Sequence, residues 1–215
     1  MKAFMALIVV IVNITFTMGQ KTFEFTIEGM TCQGCVDMVT KTLENVDGVV
    51  SVLIDLDSKH AMVVAESNVA EADLREAIHA NTNFEALFEG EKLPQPLTEK
   101  EEKGLDIKVI TGGAKIKLKD HLARGKLTIF DFYAEWCGPC KVFSPKLERL
   151  LLEQPNLALR KVDVVDWKSA LANQLTKDYN LPALPFTVIF DEHGNFLGKV
   201  EGNNIEEVQK IIESK

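Results

Sequence analysis

The sequence predicts two small domains, an α+β domain followed by an α/β domain, in a chain of 215 residues. Residues 20–89 show the order strand, helix, strand, strand, helix, strand. After residue 126 a nearly continuous apolar strand runs directly into a helix, as in α/β proteins. Between these regions, residues 90–104 replace hydrophobic periodicity with prolines and charges, which is typical of a linker. The second domain then extends over residues 105–215.

Residues 1–19 predict a cleaved secretory signal, with an uncleaved anchor as the alternative. A cationic start precedes an aliphatic run over residues 3–12, which is shorter than the roughly 20 residues that a membrane span needs. Small residues at positions 17 and 19 suit a signal peptidase, and Gln20 would begin the mature chain. We therefore expect a periplasmic or secreted protein with no membrane span after cleavage, in an oxidising space.

Charge is divided unevenly between the domains. Residues 20–89 carry four Lys and Arg against thirteen Asp and Glu, a net charge of −9, whereas residues 105–215 carry sixteen against fifteen, a net charge of +1. An acidic domain disfavours nucleic acid and anionic membranes as partners and suits a basic protein surface. Solubility of a small secreted domain is the simpler explanation of the same charges.

The first domain begins with a strand that buries one face, because Phe23, Phe25 and Ile27 alternate with polar residues. The strand enters the loop Gly29-Met30-Thr31-Cys32-Gln33-Gly34-Cys35. Apolar residues at helical spacing follow, so Cys35 opens a helix and Cys32 lies in the loop before it. The complete element order is a split βαβ, ferredoxin-like sandwich with both helices on one face of an antiparallel sheet.

This loop and this element order together resemble the heavy-metal-associated domain of copper chaperones, metal-transporting P-type ATPases and the periplasmic mercury-binding protein. The resemblance covers about residues 21–89 and implies that Cys32 and Cys35 are metal ligands. Thiolates select Cu(I) and also suit Zn(II) and Hg(II), and helix-terminal amides favour the thiolate form. We expect Cu(I) first, with Zn(II) or Hg(II) as alternatives, and no organic cofactor.

Four neighbouring side chains have simpler assignments than metal binding. We place Met30 in the core beneath the loop and expect His60 and His79 to face solvent. Phe84 matches an aromatic position of the resembled family and equally suits a buried strand. The alternative for Cys32 and Cys35 themselves is a structural disulfide, because exposed vicinal thiols oxidise outside the cytoplasm.

The second domain places its cysteines at a strand-to-helix junction. Residues 127–133 form a short, nearly continuous apolar run, as expected for a central strand buried on both faces. Trp136 leads into Cys137-Gly138-Pro139-Cys140, and a helix follows. At that helix N-terminus the dipole and free amides stabilise a thiolate at Cys137, with a pKa of about 7 in such motifs.

The segment from Phe130 to Lys141 closely resembles the thioredoxin active site, and the resemblance covers about residues 105–215. Pro145 inside the active-site helix agrees with it, as does Pro185, where the family has a cis-proline facing the cysteines. The resemblance implies that Cys137, as the more exposed thiol, attacks a substrate disulfide and that Cys140 resolves the mixed disulfide. It also implies that Trp136 and Pro185 contact the substrate.

Asp131 and Lys161 complete the predicted catalytic set. Asp131 is a carboxylate in an apolar strand, so its pKa should be raised and it is suited to take the proton of Cys140. Lys161 is a candidate to pair with Asp131, and a solvated strand residue is the alternative. Tyr133 and Leu184 depart from common thioredoxins.

These patterns predict a thiol-disulfide oxidoreductase tethered to a metal-binding domain. Gly-Pro between the cysteines resembles reducing members of the thioredoxin family. A thioredoxin-like reduction potential of about −270 mV for Cys137 and Cys140 would favour reduction of exposed disulfides. The partners would be a disulfide-containing or metal-handling protein and an external thiol electron donor. One alternative is a metal chaperone or metal-binding protein whose second domain serves only as a docking module. Another is a redox enzyme whose first domain has lost its metal and serves as an adaptor.

Overall fold

The computed structural model describes residues 19–214, which form two sheets with separate cores. The predicted secretory signal lies outside the described residues, apart from Gly19. In the described part of the chain, no helix combines the length and the apolar character needed to cross a bilayer.

The first domain is a four-stranded antiparallel sheet with the strand order β2-β3-β1-β4. Its elements are β1 (Gln20–Glu28), α1 (Gln33–Glu44), β2 (Val49–Ile54), β3 (His60–Glu66), α2 (Glu71–Asn81) and β4 (Glu85–Leu87). The element order and the sheet confirm the predicted ferredoxin-like fold. Helix α1 begins at Gln33, slightly before the predicted start, and Cys32 is its N-cap residue.

The core of the first domain lies between its sheet and its two helices. Phe25 and Ile27 of β1 are buried, as the period of two requires, and belong to one cluster with Val39 of α1 and Leu74 of α2. Met30 is 3% exposed and belongs to the same cluster, which confirms its assignment to the core. The loop that carries the first cysteine pair therefore rests on packed side chains.

The linker is partly ordered and contacts the second domain. Its proline-containing first half has no regular structure, and a short helix, α3 (Glu99–Glu102), follows. Thr98 caps this helix by a mutual exchange of hydrogen bonds with Glu101. The Arg149 guanidinium binds the carbonyl oxygen of Gln95 at 3.0 Å and the carboxylate of Glu101 at 2.8 Å.

The second domain is a five-stranded sheet with the order β5-β7-β6-β8-β9. Its elements are β5 (Ile107–Ile110), a 3₁₀ turn (Leu118–His121), β6 (Leu127–Tyr133), α4 (Gly138–Glu153), β7 (Leu157–Asp163), α5 (Ala170–Tyr179), β8 (Phe186–Phe190), β9 (Phe196–Glu201) and α6 (Ile205–Glu213). Strands β5, β7 and β6 are parallel, and β8 and β9 are antiparallel. This sheet with its helices confirms the predicted thioredoxin fold.

Strand β6 lies at the centre of this sheet and is covered on both faces. Phe130 and Phe132 pack into one core, whereas Ile129 and Leu127 pack into the other. The nearly continuous apolar sequence of β6 is explained by this double burial. Because α4 follows directly from β6, the strand fixes where the second cysteine pair emerges.

Arg160 is a buried cation within β7. It is 1% exposed and donates a hydrogen bond to Asp106 at 2.9 Å and another to the carbonyl oxygen of His121 at 2.7 Å. A buried charge needs such partners, because water no longer solvates it. Arg160 thereby fastens the start of β5 and the 3₁₀ turn to the sheet.

Candidate functional sites

Cys32 and Cys35 lie together at the N-terminus of α1. Cys32 is exposed, Cys35 is half-buried, and their thiols are hydrogen bonded with Sγ atoms 2.7 Å apart. The backbone N–H of Cys35 donates to the carbonyl oxygen of Cys32 at 3.0 Å and holds the turn closed. The two sulfur atoms thus converge, as two thiolate ligands of one soft metal ion must.

The two thiols of this pair differ in acidity. The hydrogen bond with Cys35 raises the pKa of Cys32. Burial by itself would raise the pKa of Cys35, but hydrogen bonds from the Cys32 thiol and from Thr31 outweigh burial and lower that pKa. Cys35 is therefore the first of the two to become a thiolate, with the Cys32 thiol as its hydrogen-bond donor.

The predicted neighbours of this pair have the expected simple roles. Phe84 is 8% exposed, and its ring lies 3.2 Å from the position that a Cβ would occupy at Gly29. His79 is exposed, and His60 is partly exposed and lies 3.6 Å from Glu24. Within residues 19–214, no group of three or more His, Cys, Asp or Glu side chains is arranged to hold a metal ion.

Cys137 and Cys140 are joined by a disulfide at the N-terminus of α4. Cys137 is the N-cap residue, and its Sγ accepts a hydrogen bond from the backbone N–H of Cys140 at 3.2 Å. This donor, at the positive end of the helix dipole, stabilises negative charge on Cys137 once the disulfide is opened. The geometry suits Cys137 to act as the nucleophile.

Cys137 is the more exposed of the second pair, as predicted, but both cysteines are buried. Cys137 is 3% exposed and Cys140 is 1% exposed. The physical reason lies beside them, because Gly29 and Thr31 of the first domain pack on Gly138.

Asp131 lies fully buried in β6 beneath α4. Its Oδ2 accepts a hydrogen bond from the Ser144 hydroxyl at 2.6 Å, whereas its Oδ1 has no hydrogen-bond partner. Burial raises the pKa of Asp131 to about 6, and the Ser144 hydrogen bond and the Lys161 charge oppose this rise. The predicted raised pKa is confirmed. Ser144, which sequence reasoning missed, lies one helical turn after Cys140, so the acid lies under the face of α4 that carries Cys140.

The expected direct pair between Lys161 and Asp131 is wrong. The two residues are neighbours on adjacent strands, but Lys161 Nζ donates to Glu148 at 2.6 Å. Burial would lower the pKa of Lys161, but the hydrogen bond and charge of Glu148 outweigh it and raise that pKa. Glu148 is the better partner because complete burial favours the neutral form of Asp131. Lys161 acts on Asp131 only through its charge.

A cleft beside Cys140 connects this group of side chains with the surface. It has a volume of about 270 Å³ and is lined by Cys140, Ser144, Glu148 and Lys161, among others. This volume is large enough for water. A proton released at Cys140 can therefore be exchanged with solvent.

The two residues predicted to contact a substrate differ in exposure, because Trp136 is exposed and Pro185 is buried. The Leu184–Pro185 peptide bond is cis, and Leu184 belongs to the same core as Cys137. Trp136 is 48% exposed, and its indole ring lies 5.9 Å from that of Trp167, which is also exposed. Sequence reasoning missed Trp167, because it lies in a loop with no periodic signal.

The two Cys-x-x-Cys loops are in contact with each other. A Cβ added to Gly138 would overlap the carbonyl oxygen of Gly29 and lie 2.7 Å from the Thr31 methyl group. A Cβ added to Gly29 would lie 3.3 Å from Cα of Pro139. Thr31 precedes Cys32 and Gly138 follows Cys137, so the direct neighbours of two reactive cysteines touch. The absence of a side chain at Gly138 permits this approach.

Comparisons with known proteins agree with the two folds. The thioredoxin family matches residues 113–214, and the heavy-metal-associated domain family matches residues 24–85. Thioredoxin-T of Drosophila melanogaster is 38% identical over 93 residues, which are 43% of this chain and 55% of that protein. Thioredoxin of Mycoplasmoides gallisepticum is 33% identical over 100 residues, which are 45% of this chain and 94% of that protein. The chain thus spans about half of the first relative and nearly all of the second.

Among solved structures, a copper-binding domain from HMA7, a P-type ATPase, is 35% identical; the match covers 33% of this chain and 96% of that domain, with a TM-score of 0.31. The family matches and the thioredoxin relatives together cover both cysteine pairs. The chain belongs to the thioredoxin family through its second domain and carries a heavy-metal-associated domain before it.

Proposed function

We propose that this protein is a periplasmic or secreted thiol-disulfide oxidoreductase that reduces metal-site disulfides, first of all Cys32–Cys35 in its own heavy-metal-associated domain. The contact between Thr31 and Gly138 carries the proposal, because it brings the two dithiol loops together within one chain. Once reduced, Cys32 and Cys35 bind a soft metal ion as cargo, with Cu(I) preferred.

The exchange transfers two electrons between the pairs. The Cys137 thiolate attacks one sulfur of the Cys32–Cys35 disulfide, forms a mixed disulfide and releases the other sulfur as a thiolate. Cys140 then gives its proton to Asp131 and attacks Cys137 Sγ, which frees the second sulfur and closes Cys137–Cys140.

Two further features support the reducing direction and a catalytic cycle. A pKa of about 6 makes Asp131 a proton acceptor near neutral pH. The Gly138-Pro139 dipeptide is that of reducing thioredoxins. An external low-potential dithiol supplies two electrons to Cys137–Cys140 in each cycle, because the transfer leaves that pair oxidised.

The test separates exchange within one chain from exchange between chains. Full chains are oxidised at both pairs and given the external dithiol, and the rate of Cys32–Cys35 reduction is followed by thiol trapping and mass spectrometry. For comparison, a chain with Cys32→Ser and Cys35→Ser is mixed with a chain carrying Cys137→Ser and Cys140→Ser, so that transfer occurs only between molecules. At micromolar concentration the intact chain should react about a hundredfold faster, because tethering supplies millimolar effective concentration. Equal rates would contradict the proposal.

Metal binding is tested on the same proteins. Anaerobic titration of the reduced chain with Cu(I), and in parallel with Zn(II) and Hg(II), should show binding that depends on Cys32 and Cys35 and is abolished by their oxidation. Cu(I) binding that survives Cys32→Ser with Cys35→Ser would place the metal elsewhere.

A further inference from the structure

A polar contact away from both cysteine loops holds the first domain on the second. Glu85, at the start of β4, accepts a hydrogen bond from Lys146 Nζ at 2.8 Å and another from Asn203 Nδ2 at 2.9 Å. The side chains of Lys146 and Glu85 are only 13% and 27% exposed. A charged group with two donors in a partly buried contact binds more strongly than an exposed surface ion pair.

A second contact joins Asn83 to Gly202. A Cβ added to Gly202 would overlap the Asn83 carboxamide. The backbone N–H of Gly202 donates to the carbonyl oxygen of Pro185 at 2.9 Å. Asn83 therefore packs on the backbone that is hydrogen bonded to the cis-proline.

We call these two contacts, together with the one at Gly138, the docking surface. Its members are Gly29, Thr31, Asn83 and Glu85 of the first domain, and Gly138, Pro139, Lys146, Gly202 and Asn203 of the second. On the second domain it includes Gly138, which follows Cys137 at the N-terminus of α4, and Gly202, whose backbone N–H is hydrogen bonded to the cis-proline. The net charge of −9 on the first domain complements Lys146.

We propose that this docking surface makes the heavy-metal-associated domain the resident partner of the thioredoxin domain, so that it covers Cys137 and keeps external protein disulfides out until it lifts away. The low exposure of Cys137 agrees with such a cover. Glycine at positions 138 and 202 permits it, since any side chain there would overlap the first domain. The claim that Cys32–Cys35 is the substrate rests on the proposed function, whereas the claim that the first domain covers Cys137 does not.

Two substitutions on the first domain weaken the docking surface and leave both cysteine pairs intact. Glu85→Gln removes the charge that faces Lys146, and Asn83→Arg forces a longer side chain against Gly202. Glu89→Gln and Asn68→Arg are the matched controls, because they make the same changes at exposed positions of the same domain.

Access to Cys137 is the primary measurement. The reduced full chain is alkylated with iodoacetamide at a pH where the thiol is ionised, and modification of Cys137 is followed by mass spectrometry. Loss of the carboxylate charge from these hydrogen bonds should speed alkylation of Cys137 by about tenfold in Glu85→Gln. Asn83→Arg should act in the same direction, and the reduction of insulin disulfides with dithiothreitol as the donor should accelerate in parallel.

The outcomes separate the two proposals. Wild-type alkylation rates in both variants, or equal acceleration in the controls, would overturn the docking surface whatever the insulin assay gives. Faster alkylation confined to the two variants supports the docking surface. If no protein then reduces insulin or the Cys32–Cys35 disulfide, the docking surface stands and the proposed function fails.

Discussion

Replacing Asp131 by asparagine should stabilise the second domain by an amount that grows with pH. Asp131 is fully buried, and Ser144 is the hydrogen-bond donor to its Oδ2, whereas Oδ1 lacks a partner. Asparagine has nearly the same shape and no charge. The substitution therefore removes the cost of burying a carboxylate wherever that carboxylate is ionised.

The magnitude follows from the pKa values of the two states. Burial raises the pKa of Asp131 from 3.8 to about 6 in the folded protein. Below about pH 4 the carboxyl is protonated in both states, and as the pH rises towards 6 only the unfolded state releases the proton, so unfolding becomes easier. A shift of about two units corresponds to about 3 kcal/mol. The wild type should lose about this much free energy of unfolding between about pH 4 and pH 7, whereas the variant should not.

Tryptophan fluorescence isolates the domain that carries this effect. The chain has two tryptophans, Trp136 and Trp167, and both lie in the second domain. Urea unfolding of the oxidised wild type and of Asp131→Asn is measured from pH 4 to pH 8, with the exposed Asp178→Asn as the control. The stability difference for Asp131→Asn should grow by about 2 to 3 kcal/mol across this range and stay flat for the control. A difference that does not change with pH would refute the assigned protonation of Asp131.

Three further predictions test single contacts. Ser144→Ala should raise the pKa of Asp131 further, because the Ser144 hydrogen bond lowers that pKa. The pH profile of disulfide reduction should then shift to higher pH, and Ser144→Thr should restore the wild-type profile. An unchanged profile would contradict this. With Cys137–Cys140 oxidised, Cys35 should be alkylated at lower pH than Cys32 in peptide mass spectrometry, and the reverse order would contradict the assigned thiolate. Arg160→Met should lower the free energy of unfolding of the second domain by about 3 kcal/mol in urea, because the carbonyl oxygens of His121, Asp106 and Leu159 lose their hydrogen-bond donor. Arg124→Met, at an exposed position, should have little effect, and equal losses would contradict the argument.

The fold was predictable from the sequence where a strand buries either one face or both faces along its whole length. Phe25 and Ile27 alternate with polar residues because one face of β1 is buried, and β6 is apolar throughout because both of its faces are. Strand β5 gave no such signal, because it is a four-residue edge strand with two exposed residues. The start of α1 was placed late because Gln33 and Gly34 carry no apolar pattern.

The reactive side chains were predictable, whereas their partners were not. A carboxylate inside an apolar strand is expected to have a raised pKa. Asp131 could therefore be identified from its position in the sequence alone. Glu148 binds Lys161 across the gap between α4 and β7, and no local pattern of either element encodes that contact. Glu85 and Lys146 are 61 residues apart and belong to different domains, so only the packing of the domains reveals the pair.

The two cysteine pairs share one spacing and one place in the fold, so their different chemistry must come from what surrounds them. Each pair begins a helix, and the helix dipole therefore favours a thiolate in both. Beneath the first pair lies Met30, which neither accepts nor donates a proton, and Cys32 is exposed to an incoming ion. Beneath the second lies Asp131, an acid with a pKa of about 6 that suits proton transfer during disulfide exchange. A soft-metal site needs accessible sulfur atoms, whereas a redox site needs a buried proton acceptor. These surroundings support the proposal that the first pair binds metal and the second pair exchanges electrons.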